Sequence, residues 1–130
     1  MTASISVEVS PGELIDKITI LEIKLERIKD EDKLKNVKLE WETLTRSRDG
    51  AIETTPKLEK LTADLKESNE RLWRIEDDIR DCEGNKDFGG KFVELARAVY
   101  VNNDQRSRLK REINELLGSR LIEEKSYAAY

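Results

Sequence analysis

The chain of 130 residues contains no histidine. That absence excludes His-based catalytic triads and His-ligated zinc, and it removes the commonest general base. A lone cysteine, Cys82, cannot form an internal disulfide. Long apolar runs are also missing. None approaches the roughly 20 residues that a membrane-spanning helix needs, so no membrane association is expected. The chain does not open on a charged stretch followed by an apolar core, so a cytoplasmic protein without a signal peptide is expected. Neither GxxxxGKS/T nor GxGxxG phosphate-binding loops occur. Asp87-Phe88-Gly89 matches a kinase triplet by letters alone, because the helical pattern around it is unlike the kinase sheet context.

What is present is charge. Charged residues make up 40% of the chain and hydrophobic ones 37%, against a usual charged fraction near 25%. With a sustained helical period, this composition points to long helices with solvated outer faces. Disorder is the competing reading, but the apolar residues keep phase over several turns, which disordered segments do not. The formal net charge of −4 argues against nucleic acid or an anionic membrane as the main partner, since both select basic surfaces. A chain of this length holds one hydrophobic core, so residues 1–130 are read as one helical domain.

The elements follow from caps and spacing. Ile5, Val7 and Val9 alternate with polar residues, which predicts an extended arm over 1–9, lying along the protein or pairing with a second copy. Ser10-Pro11-Gly12-Glu13 predicts a helix start in which Ser10 caps, Pro11 takes the first helical position and Glu13 reaches back to close a capping box. Leu14, Ile18, Leu21, Leu25 and Ile28 then mark one face, with Ile20 and Ile23 opposite. A helix apolar on two sides packs on two sides. Asp30 or Asp32 opens a second helix (Leu34, Val37, Trp41, Leu44) that Asp49-Gly50 is expected to stop. Thr55-Pro56 opens a third, whose seam runs Leu58, Leu61, Leu65, Ser68, Leu72, Ile75, Ile79 and Cys82 to a turn at Gly84. Cys82 therefore reads as core, and its acidic neighbours disfavour a reactive thiolate. Asp87 is expected to cap a fourth helix with the seam Phe92, Leu95, Val99, Asn102, Arg106, Leu109, Ile113 and Leu116, ending at Gly118. Short connections make neighbouring helices antiparallel. The expected fold is all-α: a coiled-coil-like bundle of about four helices in two antiparallel hairpins.

Five groups of residues are weighed for function. Back-folding about Gly84 sets Asn102 level with Ser68 and Asn69, so Ser68, Asn69, Asn102 and Arg106 form a candidate polar layer; Arg106 then needs a carboxylate, for which Asp64 or Glu67 is expected. Such a layer fixes register or oligomeric state, or forms a site. Carboxylates at helical spacing, Glu13 and Asp16 with Glu76 and Glu83, are a second group. All-helical enzymes hold magnesium with such pairs, but in a chain with 28 acidic residues the bland reading is a solvated face, and Arg80 one turn from Glu76 suggests an ion pair. No metal site and no cofactor are assigned. Gly89 and Gly90 at the start of the fourth helix ask for close packing or, alternatively, an anion at the helix N-terminus. The basic run Arg106, Arg108, Lys110 and Arg111 spreads around a helix and makes a poor nucleic-acid surface. Lastly, the tail 119–130 carries Leu121, Ile122, Tyr127 and Tyr130 on a short amphipathic segment suited to docking on the protein itself or on a partner.

The blocks SPGELIDKITILEIK, LWRIEDDIR, DFGGKFVELAR and EEKSY resemble an uncharacterised bacterial family known only as a domain of unknown function. The resemblance covers nearly the whole chain. It implies a small stand-alone helical protein, bacterial or phage-borne, and carries no activity. The function expected is a non-enzymatic protein-interaction or assembly module, forming a homo-oligomer or binding a protein partner. Two alternatives stay open: a small-ligand or magnesium-dependent helical enzyme, and a nucleic-acid-associated protein.

Overall fold

The computed structural model describes residues 3–130; of the arm expected over 1–9, residues 1 and 2 lie outside the described residues. Four helices follow one another: α1 (Pro11–Arg27), α2 (Glu31–Ala51), α3 (Pro56–Gly84) and α4 (Gly90–Leu116). The starts are chemically explicit. Ser10 Oγ accepts from the Glu13 amide at 3.2 Å, and Thr55 Oγ1 accepts from the Leu58 amide at 3.2 Å, each with proline at the first helical position. Asp30 Oδ1 accepts from the amides of Asp32 and Lys33 and starts α2.

Three local expectations are corrected. The second helix continues through Gly50 to Ala51, because a helical glycine costs only about 1 kcal/mol and Ile52 still donates to Arg48 O at 2.8 Å. The cap of α4 is Gly89 rather than Asp87: Asp87 Oδ1 accepts from the Gly89 amide at 3.1 Å and so shapes the turn before the helix. Gly90 has no neighbour within 4 Å of where a side chain would begin, so close packing does not account for it.

The helices form two antiparallel hairpins, α1 with α2 and α3 with α4. Helix α1 packs against all three others, whereas among the described residues α2 meets only α1. Burial agrees with this placement: between Pro11 and Leu25 only Lys17 is exposed. The apolar core lies where the starts of α1 and α3 meet the end of α4, at Ile15, Leu58, Leu61, Leu65 and Ile113. Helix α1 has 17 residues and α3 has 29. The far end of the α3–α4 hairpin therefore extends beyond α1 with only two helices in section, and its seam residues Ile75, Ile79, Phe92 and Leu95 are only half-buried. Cys82 is buried near the tip. No helix among the described residues is long and apolar enough to cross a membrane.

Both termini lie outside the helices. Ile5 and Val7 are exposed on an extended arm that forms no strand, and Glu8 pairs with Arg120. The tail after Gly118 contains no helix. The tail runs as an extended strap on α4: Glu123 pairs with Lys110, Glu124 with Arg111, and the Tyr130 hydroxyl donates to Asp104.

Candidate functional site

A row of residues on α1, Gly12, Asp16, Thr19 and Ile23, steps by four, three and four and is buried throughout. It faces the α3–α4 seam. Gly12 makes the closest approach: its amide donates to Asn114 Oδ1 on α4 at 2.7 Å, and a Cβ placed there would lie 2.4 Å from Lys110 O. Only glycine fits at that crossing. One turn on, Asp16 is 1% exposed. A carboxylate so placed requires compensating partners, since an unpaired buried charge is costly.

Helices α3 and α4 supply them. Arg106 grips Asp16 with both ends of its guanidinium, Nε to Oδ1 at 3.1 Å and Nη2 to Oδ2 at 3.0 Å, a fork geometry suited to a carboxylate. Asn69 Nδ2 donates to Asp16 Oδ1 at 2.8 Å and to Thr19 Oγ1 at 3.0 Å, and Thr19 Oγ1 donates back to Asp16 O at 2.7 Å. Lys110 Nζ stands 3.9 Å from Asp16 Oδ2 and donates to Glu13 Oε2 at 2.7 Å and Glu123 Oε2 at 3.3 Å. Burial opposes the charge on Lys110 and on Arg106, but the carboxylates around them outweigh it and hold both above their ordinary values. Burial likewise works to raise Glu13, and Lys110 with Lys17 overcomes it, leaving Glu13 below 4.5. Every charge in the network is matched, and the network ties α1, α3, α4 and the tail at one level.

Beside this network, where α1 ends, a cleft of about 420 Å³ opens between α1, α3 and α4. Ile20, Ile23, Leu72 and Val99 contribute its apolar lining, Trp73 stands on one side, and Asn69, Asn103 and Arg106 border it. Asn103 Oδ1 accepts from Arg106 Nη1 at 3.2 Å. The guanidinium of Arg27 lies 6.0 Å from the Trp73 ring centroid. Glu76, Asp77 and Arg80 lie toward the far hairpin.

The structure distributes the sequence candidates unevenly. Of the polar layer, Asn69 and Arg106 meet on Asp16. The partner of Arg106 is thus on α1 and not Asp64 or Glu67, which pair with Lys60 and Arg71 on their own helix. Ser68 is fully buried but its Oγ has no hydrogen-bond partner among the described residues. Asn102 is half-buried, accepts from Arg71 Nε at 3.2 Å and donates to Ala98 O at 2.8 Å, so it faces Arg71 rather than Ser68 and Asn69. Glu13 and Asp16 are committed to cations, Glu76 accepts from Arg80 at 3.2 Å, and Glu83 is exposed near the hairpin tip. Among the described residues no group of three or more Cys, Asp or Glu side chains is placed to hold a metal. No bond from Glu13 back to the Ser10 amide forms, because Lys110 takes that carboxylate. In the tail, Leu121 is half-buried, Ile122 lies at the edge of exposure, and Tyr127 and Tyr130 are exposed, Tyr130 standing edge-on to Tyr100 at 5.2 Å. Sequence reasoning passed over Gly12, Thr19, Asn103 and Asn114. The available signal was a row of small and polar residues at three-four spacing on α1, matched by Asn103, Arg106, Lys110 and Asn114 on α4.

A family model for a family of unknown function, DUF6165, matches residues 5–130. The chain belongs to that family. No curated protein and no solved structure matches the chain. The match spans the network, the cleft and the far hairpin alike, and it assigns a role to none of them.

Proposed function

We propose that this member of the DUF6165 family is a non-enzymatic interaction and assembly module: a helical scaffold that holds out the far half of the α3–α4 hairpin to a protein partner. One observation carries the reading. Beyond the end of α1 the hairpin keeps large apolar side chains in solvent, with Phe88 54% and Val93 50% exposed. Scattered apolar residues need no explanation, but a group on one protruding element marks a contact surface. The buried network supports the scaffold half of the reading, since its groups are satisfied by one another and fix how α1 meets the hairpin.

A photo-crosslinking residue at Val93, compared with one at Leu39, tests this in cells. Leu39 is 64% exposed on α2 and serves as a solvent-facing control. Protein cross-links from Val93 and none from Leu39 are expected. Equal labelling, or none from Val93, removes the hairpin as the contact surface.

A further inference from the structure

We propose that the cleft at the end of α1 binds a small neutral molecule, a flat ring bearing a carboxamide or lactam edge. Three helices wall the cleft, with Ile20 and Ile23 from α1, Leu72 and Trp73 from α3 and Val99 from α4. Its volume of about 420 Å³ lies within the roughly 300–1,000 Å³ of small-molecule sites, which are likewise mostly apolar with a few placed polar groups. Neither Phe88 nor Val93 borders it. The site is therefore separate from the far-hairpin surface and does not rest on the interaction reading.

The buried network fixes the polarity of two amides on the cleft. Asn69 turns its Nδ2 toward Asp16, because a carboxylate only accepts. Its Oδ1 is left without a partner among the described residues, although Asn69 is only 6% exposed. Asn103 is held the other way round: its Oδ1 accepts from Arg106 Nη1, which only donates, so its Nδ2 is the group left without a partner. Neither atom is sealed within the protein, since among the described residues Ser68 Oγ alone is both buried and unpaired. Both residues border the cleft, and the neighbouring Arg71–Asn102 bond sets them level across the hairpin. The cleft thus offers one acceptor and one donor at one level, the complement of a C=O and an N–H on one edge.

Charge selects a neutral ligand. The charged residues bordering the cleft are Glu76, Asp77, Arg80 and Arg106, two of each sign. Arg106 is forked on Asp16 and Arg80 pairs with Glu76, so an anion finds no unmatched cation there. Asp77 makes no such pair but lies exposed, where water and salt screen it. Trp73 selects the ring. Arg27, whose guanidinium stands 6.0 Å from the indole centroid, does not border the cleft. The indole surface within the cleft is therefore open to a second flat ring, which gains both apolar burial and aromatic contact.

Benzamide, titrated into the full chain and followed by NMR at the Trp73 indole N–H and the Asn69 and Asn103 side-chain amides, is the test. A dissociation constant of about 1 mM is expected for a probe of so few atoms. Acetophenone keeps the ring and the carbonyl but lacks the N–H, and benzoate brings a charge in place of the donor. Each should bind about tenfold or more weakly, because each leaves Asn69 Oδ1 unmatched. In Asn103→Asp the bond to Arg106 is kept while the donor becomes an acceptor. Preference should then pass from benzamide to benzamidine, whose edge holds donors only. Asn103→Ala, which adds no charge, should weaken benzamide by about tenfold with the circular dichroism spectrum unchanged. No perturbation at ten times the expected constant, benzoate binding as tightly as benzamide, or a preference and affinity unmoved by both Asn103 variants would each overturn the proposal.

Discussion

The two halves of the α3–α4 hairpin are built from the same three-four seam and end in different states. Near the core, Leu58, Leu61, Leu65 and Ile113 are buried, because α1 completes a third side. Farther out, Ile75, Ile79, Phe92 and Leu95 keep the spacing and stay half-exposed. Periodicity thus fixes which face of a helix turns inward, while depth of burial depends on how many helices reach that level. The short length of α1 separates a covered half from a less covered one within one hairpin.

The largest effect is expected from removing the carboxylate that ties α1 to the covered half. Asp16→Asn should cost about 3–5 kcal/mol, because the fork of Arg106 and the ammonium of Lys110 lose their buried partner. Replacing Asp16 and Arg106 together by leucine should cost less than Asp16→Asn alone. Urea unfolding of the three proteins reads the difference, and a larger loss in the double variant would mean that the pair is net stabilising.

Truncation separates the halves next. Leu65→Ala, at a position with 0% exposure, should cost about 2–5 kcal/mol, and Ile79→Ala clearly less in the same assay. Equal losses would place both seams in one core. Smaller again is the cap of α1: Ser10→Ala should cost about 1 kcal/mol, measured by chemical denaturation. An unchanged midpoint would mean that α1 starts without it.

Acidity acts on the scaffold half through Glu13. Its folded value lies below the ordinary 4.5, so its contribution is complete above that pH and is lost as pH falls from 4.5 through the folded value. Lys110 is held above its ordinary 10.5; its contribution is complete below that pH and is lost only as pH rises through the folded value. Denaturation midpoints should therefore stay level between these limits as far as this pair is concerned. Glu13→Gln should flatten part of the acid limb, and an acid limb unaltered by that change would assign it to other carboxylates.

Most of the fold was legible before any coordinates, for a physical reason: each helix announces itself by a local cap and a local period. Ser10-Pro11 and Thr55-Pro56 needed no tertiary information. The candidate site was only half legible. Asn69 and Arg106 stood out because they interrupt apolar seams, but the partner of Arg106 did not, since Asp16 is one of 28 acidic residues and only its place opposite α4 makes it special. Gly12 was hidden in the same way. It reads as part of a helix start, and the carbonyl of Lys110 that forbids a side chain there is distant in sequence. The reading of Glu13 as a capping-box member failed because a tertiary ammonium competes for a carboxylate more strongly than a local amide does.

Native-state hydrogen exchange resolved along the hairpin separates the two parts. Amides of α1 and of α3 from Leu61 to Asn69 should open only with global unfolding, and those of Ile75–Ile79 and Phe92–Val99 should open at lower free energy as a separate unit. Uniform protection from Leu61 to Cys82 would contradict it, because the far hairpin would then be as much a part of the core as the segment that α1 covers.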